Sequence, residues 1–119
     1  MLKEAMLALR VTDMEYAPEI CDYLKAAEKD LKMAGVKPGG VCAFDISETE
    51  DPETGEVTIT VDDQSTITDE AVKTALITYA RMRFGSPADY DRLAASYDLQ
   101  RRQLANATGY TDFGEDDGE

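Results

Sequence analysis

The chain has 119 residues, 43% of them hydrophobic, with no histidine, two cysteines and a formal net charge of −13. That length makes one domain, able to bury a little under about 70% of the surface its unfolded chain exposes. No histidine, no glycine-rich phosphate loop, no serine or cysteine in a nucleophile motif and no metal-ligand spacing point away from an enzyme and from any cofactor or metal.

In chain order, Leu2 to Arg10 is read as a short helix with Leu2, Met6 and Leu9 on one side. A longer amphipathic helix follows, in which Tyr16, Ile20, Tyr23, Leu24, Ala27, Leu31 and Ala34 share a sector of about 100°. Asp22, Lys25, Lys29 and Lys32 lie opposite. Pro18 suits the start of this helix, and Gly35 with Pro38 suits its end. Cys21 falls on its flank and Cys42 in the next strand. A lone pair of this kind, without a signal peptide, reads as reduced thiols in a soluble intracellular protein rather than as a disulfide.

The period then changes from 3.6 to 2. Cys42, Phe44 and Ile46 alternate with Val41, Ala43 and Asp45, while Val57, Ile59 and Val61 alternate with threonines. Pro52 and Gly55 lie between them in a spacing suited to a reversal, so residues 41–61 are expected to form a β-hairpin with a long acidic tip. The hairpin is either a solvated ornament on the core or a contact with another protein.

A second helical run, DEAVKTALITYARMRFG, places Val72, Ala75, Leu76 and Tyr79 on one stripe and Ile77, Ala80 and Phe84 on another side, the pattern of a central helix. Gly85 is placed to end it. In the final helix Ser86 is the expected N-cap, Pro87 the first helical residue, and Asp89 a first-turn acid at the positive end of the dipole. Tyr90, Leu93, Tyr97 and Leu104 fall within roughly 60° of arc, leaving Asp91, Arg92, Asp98, Arg102 and Gln103 outward. The whole is a mainly α fold: a small bundle of three to four helices with the hairpin inserted and an acidic C-terminal tail. Residues 1–111 form the single domain and residues 112–119 a flexible tail.

Charge is unevenly spread. Eight acids and no base occur from Asp45 to Asp63, and the tail adds Asp112, Glu115, Asp116, Asp117 and Glu119. Removing those thirteen from the 25 acids leaves 12, against 12 Lys plus Arg, so the helical body is formally neutral. Solubility is one explanation of the excess. Glu48, Glu50, Asp51, Glu53 and Glu56 lack the spacing of an EF-hand loop, and Pro52 interrupts them. The outward arginines Arg81, Arg83, Arg92, Arg101 and Arg102 suit a solvated or salt-bridged face better than a nucleic-acid site.

Two segments, ITYARMRFG followed by DYDRLAASYDLQRRQL, resemble the C-terminal half of the head-tail connector (adaptor) proteins of long-tailed bacteriophages and prophages. The stretch ALRVTDMEYAPEICDYLKAAEKDLKMAGV resembles the family's opening, and the segments together span about two-thirds of the chain. The acidic hairpin departs from the family pattern, in which many members have only a short link.

The resemblance implies a structural virion protein at the capsid–tail junction, made in the host cytoplasm. It implies a ring of the protein with itself, expected to hold twelve copies, that docks under the portal protein, extends the DNA exit channel and receives the next tail-proximal connector or stopper. DNA would pass without specific binding, and no membrane is involved.

On this reading Arg92, Asp98, Arg101 and Arg102 are candidates for contacts between subunits, or else a solvated face. Glu48, Glu50, Asp51, Glu53 and Glu56 are candidates to face the channel and repel passing DNA. Tyr110 and Phe113 are candidates for the portal contact, although Tyr110 could equally cap the last helix after Gly109. A DNA-mimicking inhibitor or regulator from a mobile element and a monomeric tail-completion or scaffolding factor are the competing readings. Mimicry fits less well, because the excess charge lies in a tip and a tail.

Overall fold

A computed structural model describes residues 1–85 and 87–107. These residues form four helices, α1 (Leu2–Leu9), α2 (Ala17–Met33), α3 (Glu70–Arg83) and α4 (Tyr90–Asn106), with a 3₁₀ turn over Met14–Tyr16 leading into α2. Strands β1 (Phe44–Glu50) and β2 (Val57–Asp63) form an antiparallel hairpin between α2 and α3. The mainly α character with an inserted hairpin is therefore as the hydrophobic periods imply. The expected tail, residues 112–119, with Tyr110 and Phe113, lies outside the described residues, as does Ser86.

Helix α3 is central: it packs against α1, α2 and α4. Its Val72, Ala75, Leu76 and Ala80 are fully buried, joined by Thr78 and Met82. Burying Thr78 leaves no orphan hydroxyl, because its Oγ1 donates to the Thr74 carbonyl at 2.8 Å. Around α3 the core takes Leu2, Ala5 and Met6 from α1, Ile20, Leu24, Ala27 and Leu31 from α2, and Leu93, Tyr97 and Leu104 from α4. Tyr16, Tyr23 and Ala34 are not fully inside. Tyr16 belongs to the 3₁₀ turn and lies 45% exposed, edge-on to Phe84 at 5.6 Å. Tyr90, at 43% exposure, likewise falls outside the buried stripe of α4, being the first residue of the helix, where no neighbour covers it.

Three boundaries differ from the sequence expectation. Helix α4 begins at Tyr90 rather than Pro87, because the Tyr90 N–H closes a turn onto the Pro87 carbonyl at 3.3 Å, and the Asp89 carboxylate binds Arg92 instead of capping. Gly85, at φ +70°, does follow the end of α3. The hairpin ladder runs from Phe44↔Asp63 to Glu50↔Val57, so the reversal occupies only Asp51–Glu56, and Glu48 and Glu50 are strand residues. A short tip closed by the Asp51 N–H to the Glu56 carbonyl sets that register and draws residues 47–50 into pairing with the β-branched run of β2. Cys42 precedes β1, and Cys21 is buried within the α2 face rather than on a flank.

The hairpin base is clamped to the bundle by polar groups. Glu28, only 8% exposed on α2, accepts from the Cys42 N–H at 2.7 Å and pairs with Lys32. At the other strand, Asp63 Oδ2 accepts from the Leu2 N–H at 2.7 Å and meets the Met1 amine at 2.9 Å, while Asp63 Oδ1 accepts from the Ser65 N–H. Among the described residues, one other than glycine takes a left-handed backbone: Arg10, the C-cap of α1, at φ 58°. That conformation costs an ordinary residue about 1 kcal/mol, and glycine or asparagine is its relaxed occupant.

Candidate interaction surface

Helix α4 binds α2 through a polar cluster. Tyr97 donates its hydroxyl to Asp30 Oδ2 at 2.6 Å, and Arg101 reaches the same oxygen at 3.1 Å and Asp98 at 2.8 Å. Burial, reinforced by the Asp30 carboxylate, pushes the Tyr97 phenol far above its ordinary range, so it remains a donor at all physiological pH. Of the four candidate contact residues, Arg101 is thus committed to holding the bundle together. Asp98 is shared by Arg101 and Arg102, the latter at 3.1 Å, and Arg92 is bound to Asp89. The Arg92 and Arg102 side chains are 70% and 67% exposed, which leaves most of their donors facing outward. Arg92 stands in the first turn of α4, whereas Asp98 stands at its middle and Arg101 and Arg102 follow in its second half.

The five candidate channel acids divide between two settings. Glu48 and Glu50 project from β1 on the same face as Phe44 and Ile46, while Asp51, Glu53 and Glu56 belong to the tip. All five are exposed, and among the described residues none has an ion-pair partner.

A second surface was not anticipated. Strand alternation puts Ile46, Val57, Ile59 and Val61 on one face of the hairpin; Val61 reaches the core with Phe44, but Ile46 and Val57 stay 39% and 52% exposed. Beside this face runs a shallow groove of about 490 Å³ lined by Leu2, Met6, Leu7, Val11, Met14 and Val61 among others. A further hollow beyond it shares Met14 and carries Val57 and Ile59, with Asp13, Glu15, Glu48 and Glu56 set among them. Leu7, at 79% exposure, stands on its rim. An apolar strip therefore runs from α1 across the 3₁₀ turn onto the hairpin. Its signal in the sequence is Leu7, which falls off the Leu2–Met6–Leu9 stripe and has no core neighbour to meet.

Asp63 stands at the junction of that strip with the body. Burial alone would raise its pKa, yet the Leu2 N–H, the Met1 amine and Ser65 together hold it at about 2, below its usual 3.8. A depressed carboxylate adds stability above its unfolded pKa and loses it as pH falls through the folded one. The wild type should therefore give up about 1–2 kcal/mol from this residue between about pH 4 and pH 2, and Asp63→Asn should lack that step and be weaker by a similar amount at neutral pH. Urea melts across that range measure both; an Asp63→Asn curve parallel to the wild type would remove Asp63 from the clamp.

Two thiols are chemically quiet. Burial pushes Cys21 up to about 11 and Cys42 up to about 12, so neither is an effective nucleophile near neutrality. Among the described residues no group of histidine, cysteine and carboxylate side chains could hold a metal ion, and no helix is long and apolar enough to cross a membrane. Compared with known proteins, the chain matches no protein-family model, no curated protein and no solved structure.

Proposed function

We propose that this protein is a head-tail connector: a structural subunit that forms a ring, expected to hold twelve copies, beneath the portal at the capsid vertex, extends the DNA exit channel and presents a platform to the next tail-proximal protein. It works by binding, without catalysis. The carrying observation is the apolar strip over Leu7, Val11, Met14, Val57 and Ile59, on a body measuring 61 × 34 × 19 Å. Side chains such as Leu7 and Val57 are costly to leave in water, and apolar groups exposed together with acids between them, here Asp13, Glu15, Glu48 and Glu56, mark a protein-contact face. A neighbouring copy is its occupant in the ring.

The family resemblance of the helices supplies the portal as partner, with Tyr110 and Phe113 as the candidate anchors. Arg92 and Arg102 keep outward donors for the subunit contact, and the acid-rich hairpin, bearing no base, would hold little affinity for passing DNA.

Leu7→Glu and Val57→Glu are expected to fold, since both residues are exposed, and each should weaken ring assembly on the portal by at least roughly 30-fold, the effect of losing a central contact residue. Assembly titrated by electron microscopy, with circular dichroism to confirm folding, checks this. Wild-type affinity in both variants would exclude the strip as the contact.

A further inference from the structure

Among the described residues, two arginines at one end of the bundle form no ion pair. Arg10 and Arg81 line a groove of about 300 Å³ between the ends of α1 and α3 and the start of α4, with Leu9, Phe84 and Leu93 as its apolar lining and Asp89, its charge met by Arg92, also in the lining. Among the described residues no carboxylate lies within ion-pair distance of Arg10 or Arg81, and Asp89 is taken by Arg92. Arg10 also holds the left-handed C-cap position that glycine would fill without strain, so an arginine side chain is kept there against backbone preference.

The complementary half is on the same chain. At the hairpin tip, Asp51 Oδ1 accepts from the Glu53 N–H at 2.8 Å, the Asp51 carbonyl accepts from the Gly55 N–H at 2.8 Å, and Thr54 Oγ1 accepts from the Glu56 N–H at 3.2 Å. The Glu53 and Glu56 carboxylates therefore leave a fixed loop, exposed and without a cation. No hairpin residue lines the arginine groove, so a single molecule does not join the two charges.

We infer that the acidic hairpin tip of one copy docks in the arginine groove of the next, with Glu53 and Glu56 paired to Arg10 and Arg81. This rests on the ring reading and names its electrostatic contact: every copy offers one knob and one groove, a heterologous pair that repeats around the ring. Arginine binds carboxylates in forked geometry, and a charged pair beside an apolar lining fixes register between subunits. It also gives the tip acids a destination other than the channel wall. A wall that only repels phosphate needs charge, not a loop held by its own hydrogen bonds.

The test uses full-length protein assembled on portal rings at about 0.1 M salt, where contact pairs survive and distant charges are screened. Arg10→Glu with Arg81→Glu, and separately Glu53→Lys with Glu56→Lys, should each weaken ring formation at least tenfold, and a single chain carrying all four changes should recover it. Circular dichroism confirms that each variant folds. Rings from either double variant at wild-type affinity, or no recovery in the quadruple variant, would overturn the contact while leaving the ring standing; no wild-type ring would remove both.

A second readout does not require the portal. Glu53→Cys protein mixed with Arg81→Cys protein should give a mixed disulfide dimer under mild oxidation, the native cysteines being buried. Absence of that dimer above the level of a distant exposed cysteine pair counts against the contact. Loss of rings on changing the tail acids to amides, with tip reversal neutral, would assign the groove to the tail. Duplex DNA retarded by wild type but not by Arg81→Glu would assign it to phosphate. Either result overturns the inference.

Discussion

Leu76→Ala is expected to lower the free energy of unfolding by about 3 kcal/mol, a value at the scale of the largest core truncations. Leu76 is fully buried on a helix that packs against all three others, so the space it leaves is walled by elements that cannot close on it independently. Small domains hold only about 5–15 kcal/mol in total, so the loss is a large fraction of what keeps this chain folded. Urea denaturation should show the midpoint falling at nearly constant slope. A loss below about 1 kcal/mol would mean that α3 is not the packing centre.

Gly40→Ala is the second large effect, expected to cost about 2–3 kcal/mol although the residue lies in a loop. A Cβ at Gly40 would stand 2.7 Å from the Thr66 carbonyl carbon and 2.8 Å from the Thr66 oxygen and the Ile67 nitrogen, all of them backbone atoms. That backbone is fixed: the Thr66 N–H donates to the Val41 carbonyl at 2.9 Å, the Val41 N–H donates to Thr66 Oγ1 at 2.9 Å, and Ile67 is buried. Any relief has to open the seam that carries the hairpin. Gly55→Ala is the control, since its Cβ would meet nothing and only the left-handed backbone at φ +73° resists it, at about 1 kcal/mol. Thermal melts of the two variants should separate by several degrees. Equal melting would show that the crowding at Gly40 is relieved without cost.

Much of this architecture is legible in residue spacing because burial of an amphipathic face is a local pattern. Ile20, Leu24, Ala27 and Leu31 recur at helical intervals and are all inside, as are Val72, Ala75 and Leu76. What spacing does not show is how distant segments satisfy one another. Glu28 sits among apolar neighbours because the Cys42 N–H, fourteen positions away, needs an acceptor. Arg101 looks outward on a wheel, yet it turns toward Asp30, whose position depends on how α2 and α4 cross. The length of β1 depended on register rather than composition: Ser47 to Glu50 read as a polar tip until Val57 to Thr60 are set opposite them.

The interaction surface was legible in part. Counting acids located the charged element, and the structure divides those acids between strand and tip. The apolar strip is not legible in spacing because its contributors are spread over three elements, one on α1, one on the 3₁₀ turn and two on β2. Only the fold brings Leu7, Met14, Val57 and Ile59 to one side. Arg10 escaped for a similar reason, since nothing local marks a helix-ending arginine as facing Arg81 from a helix seventy positions on.

The measurement that bears most directly on the connector proposal is electron microscopy of this protein mixed with the portal ring that the proposal assigns to it. A connector would add a new ring of density stacked on the portal's outer end, with twelve subunits around an open channel. Folded protein that adds no density to the portal at moderate salt would contradict the proposal.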